Sequence, residues 1–358
     1  MMNWLLLFIP VSIVLEHFAP EHHLLVFLAS ALAILPLAGW MGRATEQLAE
    51  RMGEGVGGLL NATFGNAAEL IIGLAALRAG LYDVVKASIA GSILGNILLV
   101  LGAAMLAGGL RYPEQHYNAQ GGRSQATMLT LAAIALVIPA AFRSLVGSAD
   151  TAGGLDSLSI SISVVLLIVY VLYLLFTLVT HSALFAGTIT PEEGEAHEAP
   201  WTVGRATLVL AAATAVIAWM SEILVGAIEP TAHGLGISNA FVGVFVVAIL
   251  GNAAEHATAI SAAMKNRMDL SLSIAIGSSI QVALFVAPVL VLLSLVLGPA
   301  PMNLVFNRGL VLIVLLSVLI TGQVAGDGRS DWLKGVQLIA VYLVMGLAFF
   351  FAPGVAPH

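Results

Sequence analysis

The pentapeptide Gly-Asn-Ala-Ala-Glu stands twice in this chain, at 65–69 and again at 251–255. Both copies lie inside long apolar stretches, and that placement limits the possible folds more than any other feature. The first copy runs Gly65, Asn66, Ala67, Ala68, Glu69 and continues into Leu70; the second runs Gly251, Asn252, Ala253, Ala254, Glu255 and continues into His256. A carboxylate in the middle of a membrane span costs about 2.5–3.5 kcal/mol on insertion scales, so it marks a functional site by default. Only 9% of the 358 residues are charged and 59% are hydrophobic, whereas a soluble domain carries about 25% charge. The chain is an integral membrane protein.

Lipid offers no hydrogen bonds, so each apolar run of about 20 residues must close its backbone as a helix. The runs are Asn3 to Leu15, Leu24 to Met41 with a polar extension to Arg51, Gly55 to Arg78, Val84 to Leu110 and Ala126 to Phe142. They continue with Ser157 to Phe185, Ala206 to Ile228, Ala240 to Met264, Leu270 to Leu297, Leu310 to Ala325 and Leu333 to Phe351. The expectation is an all-α membrane protein of about 11 transmembrane helices. The first run has no basic leader and no small-residue cleavage site, so it reads as a retained span. The most hydrophilic segment, Thr190 to Ala199, carries Glu192, Glu193, Glu195 and Glu198 between spans six and seven. Cysteine is absent, which removes disulfides and thiolate chemistry. No phosphate-binding loop, Ser/His/Asp spacing or HExxH motif occurs, which argues against a pump driven by ATP and against a membrane enzyme. No cofactor is implied, and the net charge of −7 gives no pointer to nucleic acid.

Basic residues set the orientation. With a cytoplasmic N-terminus, Arg43, Arg51, Arg111, Arg123, Arg205, Lys265, Arg267, Arg329 and Lys334 face inward, leaving Arg78, Lys86, Arg143 and Arg308 outside. The flipped arrangement reverses that ratio, so a cytoplasmic N-terminus, a cytoplasmic acidic loop and an external C-terminus are expected. Span three then runs outward and span eight inward, and the two motifs are antiparallel. The likeness continues at a fixed offset of 186 (Gly65 to Gly251): Asp83 matches Asp269, Gly91 matches Gly277, Ser92 matches Ser278 and Leu98 matches Leu284. This is an inverted-topology repeat, the plan of many secondary transporters, with the site near the bilayer midplane. The expected division is an extra helix over 1–20, a five-helix repeat over 21–185, the acidic loop over 186–204, and a second five-helix repeat over 205–358.

Asn66 and Glu69 are three apart and share a helix face, as do Asn252 and Glu255. Gly65 and Gly251 precede them, where a local helix break would free backbone carbonyls. The matched segments add Ser92 and Asn96 in one half, and Ser278, Ser279 and Gln281 in the other. Carboxylate, amide carbonyl and hydroxyl are hard oxygen ligands that suit Ca²⁺, Mn²⁺ or Mg²⁺. Two bare glutamates in a low dielectric are penalised by burial and by mutual repulsion. One divalent cation or two protons relieve both penalties, and a site stable with either exchanges one for the other. The bland alternatives are a neutral glutamate bonded to a neighbouring helix, serines acting as packing glue, and a glycine pair serving close packing. His256 breaks the repeat against Leu70 and is a candidate proton relay or a polar residue satisfied by a neighbour. Glu46, Glu222 and Glu229 are candidates for an access path or for interfacial solvation.

GNAAELIIG at 65–73 and GNAAEHATAI at 251–260 resemble the paired signature repeats of the calcium/proton exchangers, within the wider calcium/cation antiporter superfamily. The resemblance spans nearly the whole chain. It implies one extra helix plus two inverted five-helix repeats, mobile spans two and seven, and Ca²⁺ export from the cytoplasm across the cell membrane driven by inward proton flow. It also implies Glu69 and Glu255 as shared Ca²⁺ and proton carriers, with Asn66 and Asn252 as supporting ligands. Gly65 and Gly251 would permit the break, Ser92, Ser278 and Gln281 would fill polar positions, and Glu46, Glu222 and Glu229 would line the cytoplasmic path. The acidic segment is shorter than in some relatives. Sodium-coupled members usually carry Pro-Glu or Asp in these repeats, so their absence favours protons. The rivals are a Na⁺-coupled Ca²⁺ exchanger and a cation channel.

Overall fold

The structure is a computed structural model that describes residues 3–52, 54–146, 153–182 and 201–351. The acidic segment Thr190 to Ala199 lies outside the described residues. Twelve helices account for nearly all of the rest: α1 (Asn3–Phe18), α2 (His23–Met52), α3 (Glu54–Phe64), α4 (Ala67–Arg78), α5 (Tyr82–Gly109), α6 (Ala119–Leu145), α7 (Gly154–Thr180), α8 (Val203–Leu235), α9 (Asn239–Met264), α10 (Met268–Leu297), α11 (Arg308–Gly326) and α12 (Trp332–Phe351). Among the described residues nine are long and apolar enough to cross a membrane, and α1 is a shorter apolar helix. The remaining expected span, the third, is the pair α3 and α4. The protein is a multi-pass, all-α membrane protein.

The first motif does interrupt its span. Helix α3 stops at Phe64 and α4 starts at Ala67, so Gly65 and Asn66 form a turn between them. The second motif does not: a continuous α-helix, Ala248–Met264, runs through Gly251 and Asn252. Its irregularity lies upstream, where Val242–Val247 is a wide π-helical turn. A glycine permits a break without imposing one, and here only one copy uses the licence.

The two halves run in opposite directions. Helices α2 and α8 pack antiparallel: Gln47 Oε1 accepts from Trp201 N at 2.7 Å, while Thr214, further along α8, reaches back to Met41 Sδ at 3.8 Å. Matched turns follow the motif helices. Gly80 (φ 78°) and Asn266 (φ 59°) both adopt the left-handed region, at positions 186 apart. Gly80 N donates to Leu77 O and Leu81 N to Ala76 O; Asn266 N donates to Ala263 O and Arg267 N to Ala262 O. Asparagine is one of the few residues that tolerate the conformation glycine adopts freely. The π-helical turns Gly95–Val100 in α5 and Val282–Val286 in α10 also correspond, and such turns recur at functional sites.

Charged residues lie at the two ends of the helices. At one end Arg111 donates to Met264 O at 3.1 Å, and Arg329 lies 3.5 Å from Glu114. An unanticipated two-residue antiparallel ribbon, Gln115–His116 with Arg329–Ser330, ties the halves there. Burial pushes the Tyr117 phenol up from its ordinary value, so it stays protonated and donates to Val324 O. At the other end Lys86 donates to Asn303 Oδ1 at 2.9 Å and Val305 O at 3.0 Å.

Small residues bring α5 and α9 together. A Cβ added at Gly91 would stand 2.3 Å from Val244 O, whereas one at Gly277 would meet nothing within 4 Å. The repeat partners therefore differ: Gly91 is a close-packing site and Gly277 is not. Gly91→Ala is expected to destabilise by about 1–3 kcal/mol through overpacking. Gly277→Ala is expected to be neutral or slightly stabilising, because helix-interior glycine is itself unfavourable. Thermal unfolding of the two variants in detergent, side by side with wild type, checks the difference.

Candidate ion-binding site

Hydroxyl accounting separates packing serines from site serines. Ser30, Thr45, Thr130, Ser163, Ser221 and Ser317 all donate to the carbonyl four residues back in their own helix, which satisfies them locally. Ser92 and Ser278 do not. Ser92 Oγ donates to Glu69 Oε1, and Ser278 Oγ donates to Asn66 Oδ1 at 3.0 Å. Ser279 donates to Ala275 O and, more weakly, to Ile93 O, so it belongs with the packing serines.

The two motifs interlock across the halves. Asn252 Nδ2, from the second, donates to Glu69 Oε1 in the first, and Glu69 is only 7% exposed. The glycines are reciprocal: a Cβ at Gly251 would stand 2.5 Å from Glu69 Cγ, and one at Gly65 would stand 3.2 Å from Glu255 Oε1. Each motif's glycine thus makes room for the other motif's glutamate. Glu255 is half-buried. Glu69 Oε2 and Glu255 Oε2 are both buried without a hydrogen-bond partner, and an unpaired buried polar atom carries its full desolvation penalty. Two such oxygens, one from each interlocked motif, are what a cation or a pair of protons would satisfy.

A neutral network surrounds the acids. Asn66 Nδ2 donates to Gln281 Oε1, Asn96 Nδ2 donates to Ser278 Oγ at 3.0 Å, and His256 Nε2 lies 2.9 Å from Asn96 Oδ1. Among the described residues no three His, Asp or Glu side chains gather around one point. The donor set is therefore two carboxylates with amide and hydroxyl oxygens, hard ligands of low total charge. The structure brings together Glu69, Glu255, Asn66, Asn252, Gly65, Gly251, Ser92, Ser278, Gln281 and His256. Asn96, recognisable in the sequence only as one more amide in a matched segment, proves to sit at the centre of the network.

The expected access path divides. Glu46 lines a crevice of about 790 Å³ between α2, from Leu35 to Glu46, and α9, from Ala253 to Lys265. The crevice reaches Ala254, the immediate neighbour of Glu255. Glu222 and Glu229 are not part of it. Both are exposed, and Glu222 pairs with Arg78 at 3.2 Å. The reason is topological: acids late in two antiparallel helices lie at opposite ends.

A family model described as sodium/calcium exchanger protein matches residues 22–179 and 205–351. A Ca(2+)/H(+) antiporter of Aphanothece halophytica is 46% identical, the alignment covering 98% of this chain and 96% of that protein. The Ca(2+)/H(+) antiporter ChaA of Bacillus subtilis is 44% identical, covering 91% of this chain and 92% of that one. The solved structure of native YfkE superposes with a TM-score of 0.80 at 39% identity, covering 97% of this chain and 99% of that chain.

The reciprocal glycines generate a test. Gly251→Ala adds a methyl group inside contact distance of Glu69 Cγ, so Glu69 must move while the helix itself gains a better helix former. The variant is expected to fold and to bind divalent cations about tenfold or more weakly, which calorimetric titration of purified protein would measure.

Proposed function

The chain belongs to the sodium/calcium exchanger protein family, and on that premise we propose that it is a secondary active antiporter exporting Ca²⁺ from the cytoplasm in exchange for H⁺. The observation that carries this reading is the pair of unpartnered glutamate oxygens, one from each inverted half, on two motifs that interlock among neutral amides and hydroxyls. A pocket with two acids is penalised when bare and doubly charged. It is relieved by Ca²⁺ or by protons, so releasing one favours taking up the other. Coupling then needs no further device than exposure to each side in turn.

In this reading Glu69 and Glu255 bind Ca²⁺ or protons alternately. Asn66, Asn252, Ser92, Ser278 and Gln281 supply neutral oxygens, and Gly65 and Gly251 keep the space open for the facing acids. His256, next to Glu255 in the chain, is satisfied by Asn96 Oδ1 at 2.9 Å. The crevice holding Glu46 is the cytoplasmic approach, while Glu222 and Glu229 belong to the external side. The N-terminus is cytoplasmic and the C-terminus external, in the cell membrane. An extra helix over 1–20 precedes the repeats over 21–185 and 205–358, and the acidic loop over 186–204 joins them. Ca²⁺ and H⁺ are cargo, and no cofactor is called for.

Proteoliposomes with an imposed pH gradient test the proposal. Wild type is expected to accumulate Ca²⁺ with or without Na⁺, and Glu69→Gln or Glu255→Gln is expected to fall to background while remaining folded. Uptake that requires Na⁺, or that persists in either variant, contradicts the reading. Because a protonated carboxyl cannot ligate the metal, Ca²⁺ affinity is expected to fall as pH falls, by about tenfold per pH unit for each proton displaced. Binding titrations at a series of pH values check the sign.

A further inference from the structure

Three positions in the site break the internal repeat. His256 stands where the first half has Leu70, Asn96 where the second half has Val282, and Gln281 where the first half has Gly95. The fold brings two of these exceptions face to face, one from each half: His256 Nε2 and Asn96 Oδ1 are 2.9 Å apart. Under the repeat, the counterpart of this pair is Leu70 with Val282. Those two are hydrocarbon, and both pack in the main apolar core. The site therefore has one polar flank and one apolar flank.

The polar flank has a direction. With His256 Nε2–H donating, the Asn96 carbonyl oxygen is engaged, so its amide nitrogen is the end that faces Ser278 and donates to Oγ at 3.0 Å. Ser278 has a single proton to give. With a lone pair accepting from Asn96, that proton has Asn66 Oδ1 as its nearest amide acceptor at 3.0 Å, with Asn252 Oδ1 next at 3.5 Å and the Glu255 carboxylate also facing the hydroxyl. Asn66 Nδ2 is in turn held by Gln281 Oε1. Every link has one donor and one acceptor, and the chain starts at His256. A hydrocarbon at 256 would leave a buried amide oxygen unpaired. It would also allow the Asn96 amide to turn over and accept from Ser278, which would then stop donating to Asn66.

We propose that the His256–Asn96 pair is a positioning device that fixes, through Ser278, the orientation of the Asn66 amide at the ion, on one flank of the site only. Neither residue need touch the cation. The pair sets how well the neutral oxygens are aimed, so it governs Ca²⁺ affinity more than turnover. It also makes the two sides of an otherwise symmetric site unequal, and the polar flank adjoins the crevice, whose lining includes Ala257 and Thr258. The inference rests on the reading that the site holds Ca²⁺.

A double-mutant cycle on the full-length protein, read by calorimetric Ca²⁺ titration and by uptake driven by a pH gradient, tests it. His256→Leu and Asn96→Val are each expected to weaken Ca²⁺ binding about tenfold, the double variant being no worse than the weaker single, because both remove one shared link. The apparent KM should rise while Vmax stays within about threefold, as for loss of uniform binding. His256→Gln, which keeps an N–H donor, should recover most of the affinity, and it also serves if His256→Leu does not fold. Additive losses, unchanged affinity in both single variants, or a loss confined to Vmax would overturn the proposal. Glu69→Gln separates the two readings. If wild type binds Ca²⁺ and Glu69→Gln does not, the site assignment stands whatever the pair does. A wild type that binds no Ca²⁺ overturns both.

Discussion

Two carboxylates that share a pocket out of water cannot both be charged and unaccompanied, and the rest of the molecule is arranged around that constraint. The alternative of dispersing them was open, since either glutamate alone could have been satisfied by neighbouring donors. Glu69 goes part of the way, with Ser92 and Asn252 both donating to Oε1. Yet its second oxygen, and one oxygen of Glu255, have no partner. The pocket is thus tuned short of self-sufficiency. Enough donors are present to hold Glu69 in place, and too few to make a bound ion redundant.

Inverted repetition supplies this arrangement economically. One motif placed in two antiparallel halves yields two acids facing each other, and each copy's glycine clears the space for the other copy's side chain. The matched left-handed turns at Gly80 and Asn266, and the matched π-helical turns in α5 and α10, keep the halves in register. Departures from symmetry are equally informative. Only the first motif breaks its helix, only one flank carries His256 and Asn96, and the crevice beside Glu255 opens at one end while Arg78 and Glu222 pair at the other. That ion pair is exposed on both partners and adds at most about 1 kcal/mol.

Much of this was legible beforehand because it depends on composition and period. Apolar runs and a repeat at constant offset determine the spans and the meeting of Glu69 with Glu255. What escaped depends on which atoms face which. Gly251 looked like a break because glycine allows one, but nothing in a sequence says whether the helix takes it. The family resemblance groups Glu222 and Glu229 with Glu46 on one path, whereas antiparallel packing of α2 and α8 puts them at opposite ends. Ser278 and Ser279 are chemically identical in sequence, and only the direction of each hydroxyl separates ligand support from packing. The ribbon of Gln115–His116 with Arg329–Ser330 is too short to leave any periodic trace.

In the proposed exchange one site, with one acid from each half, holds either a cation or protons. Simultaneous measurement of Ca²⁺ bound and protons released, on purified protein at fixed pH, addresses it most directly. One Ca²⁺ per chain is expected, with proton release in proportion, both vanishing when either glutamate alone is replaced by glutamine. Two Ca²⁺ per chain, binding without proton release, or binding that survives in a single variant would contradict it.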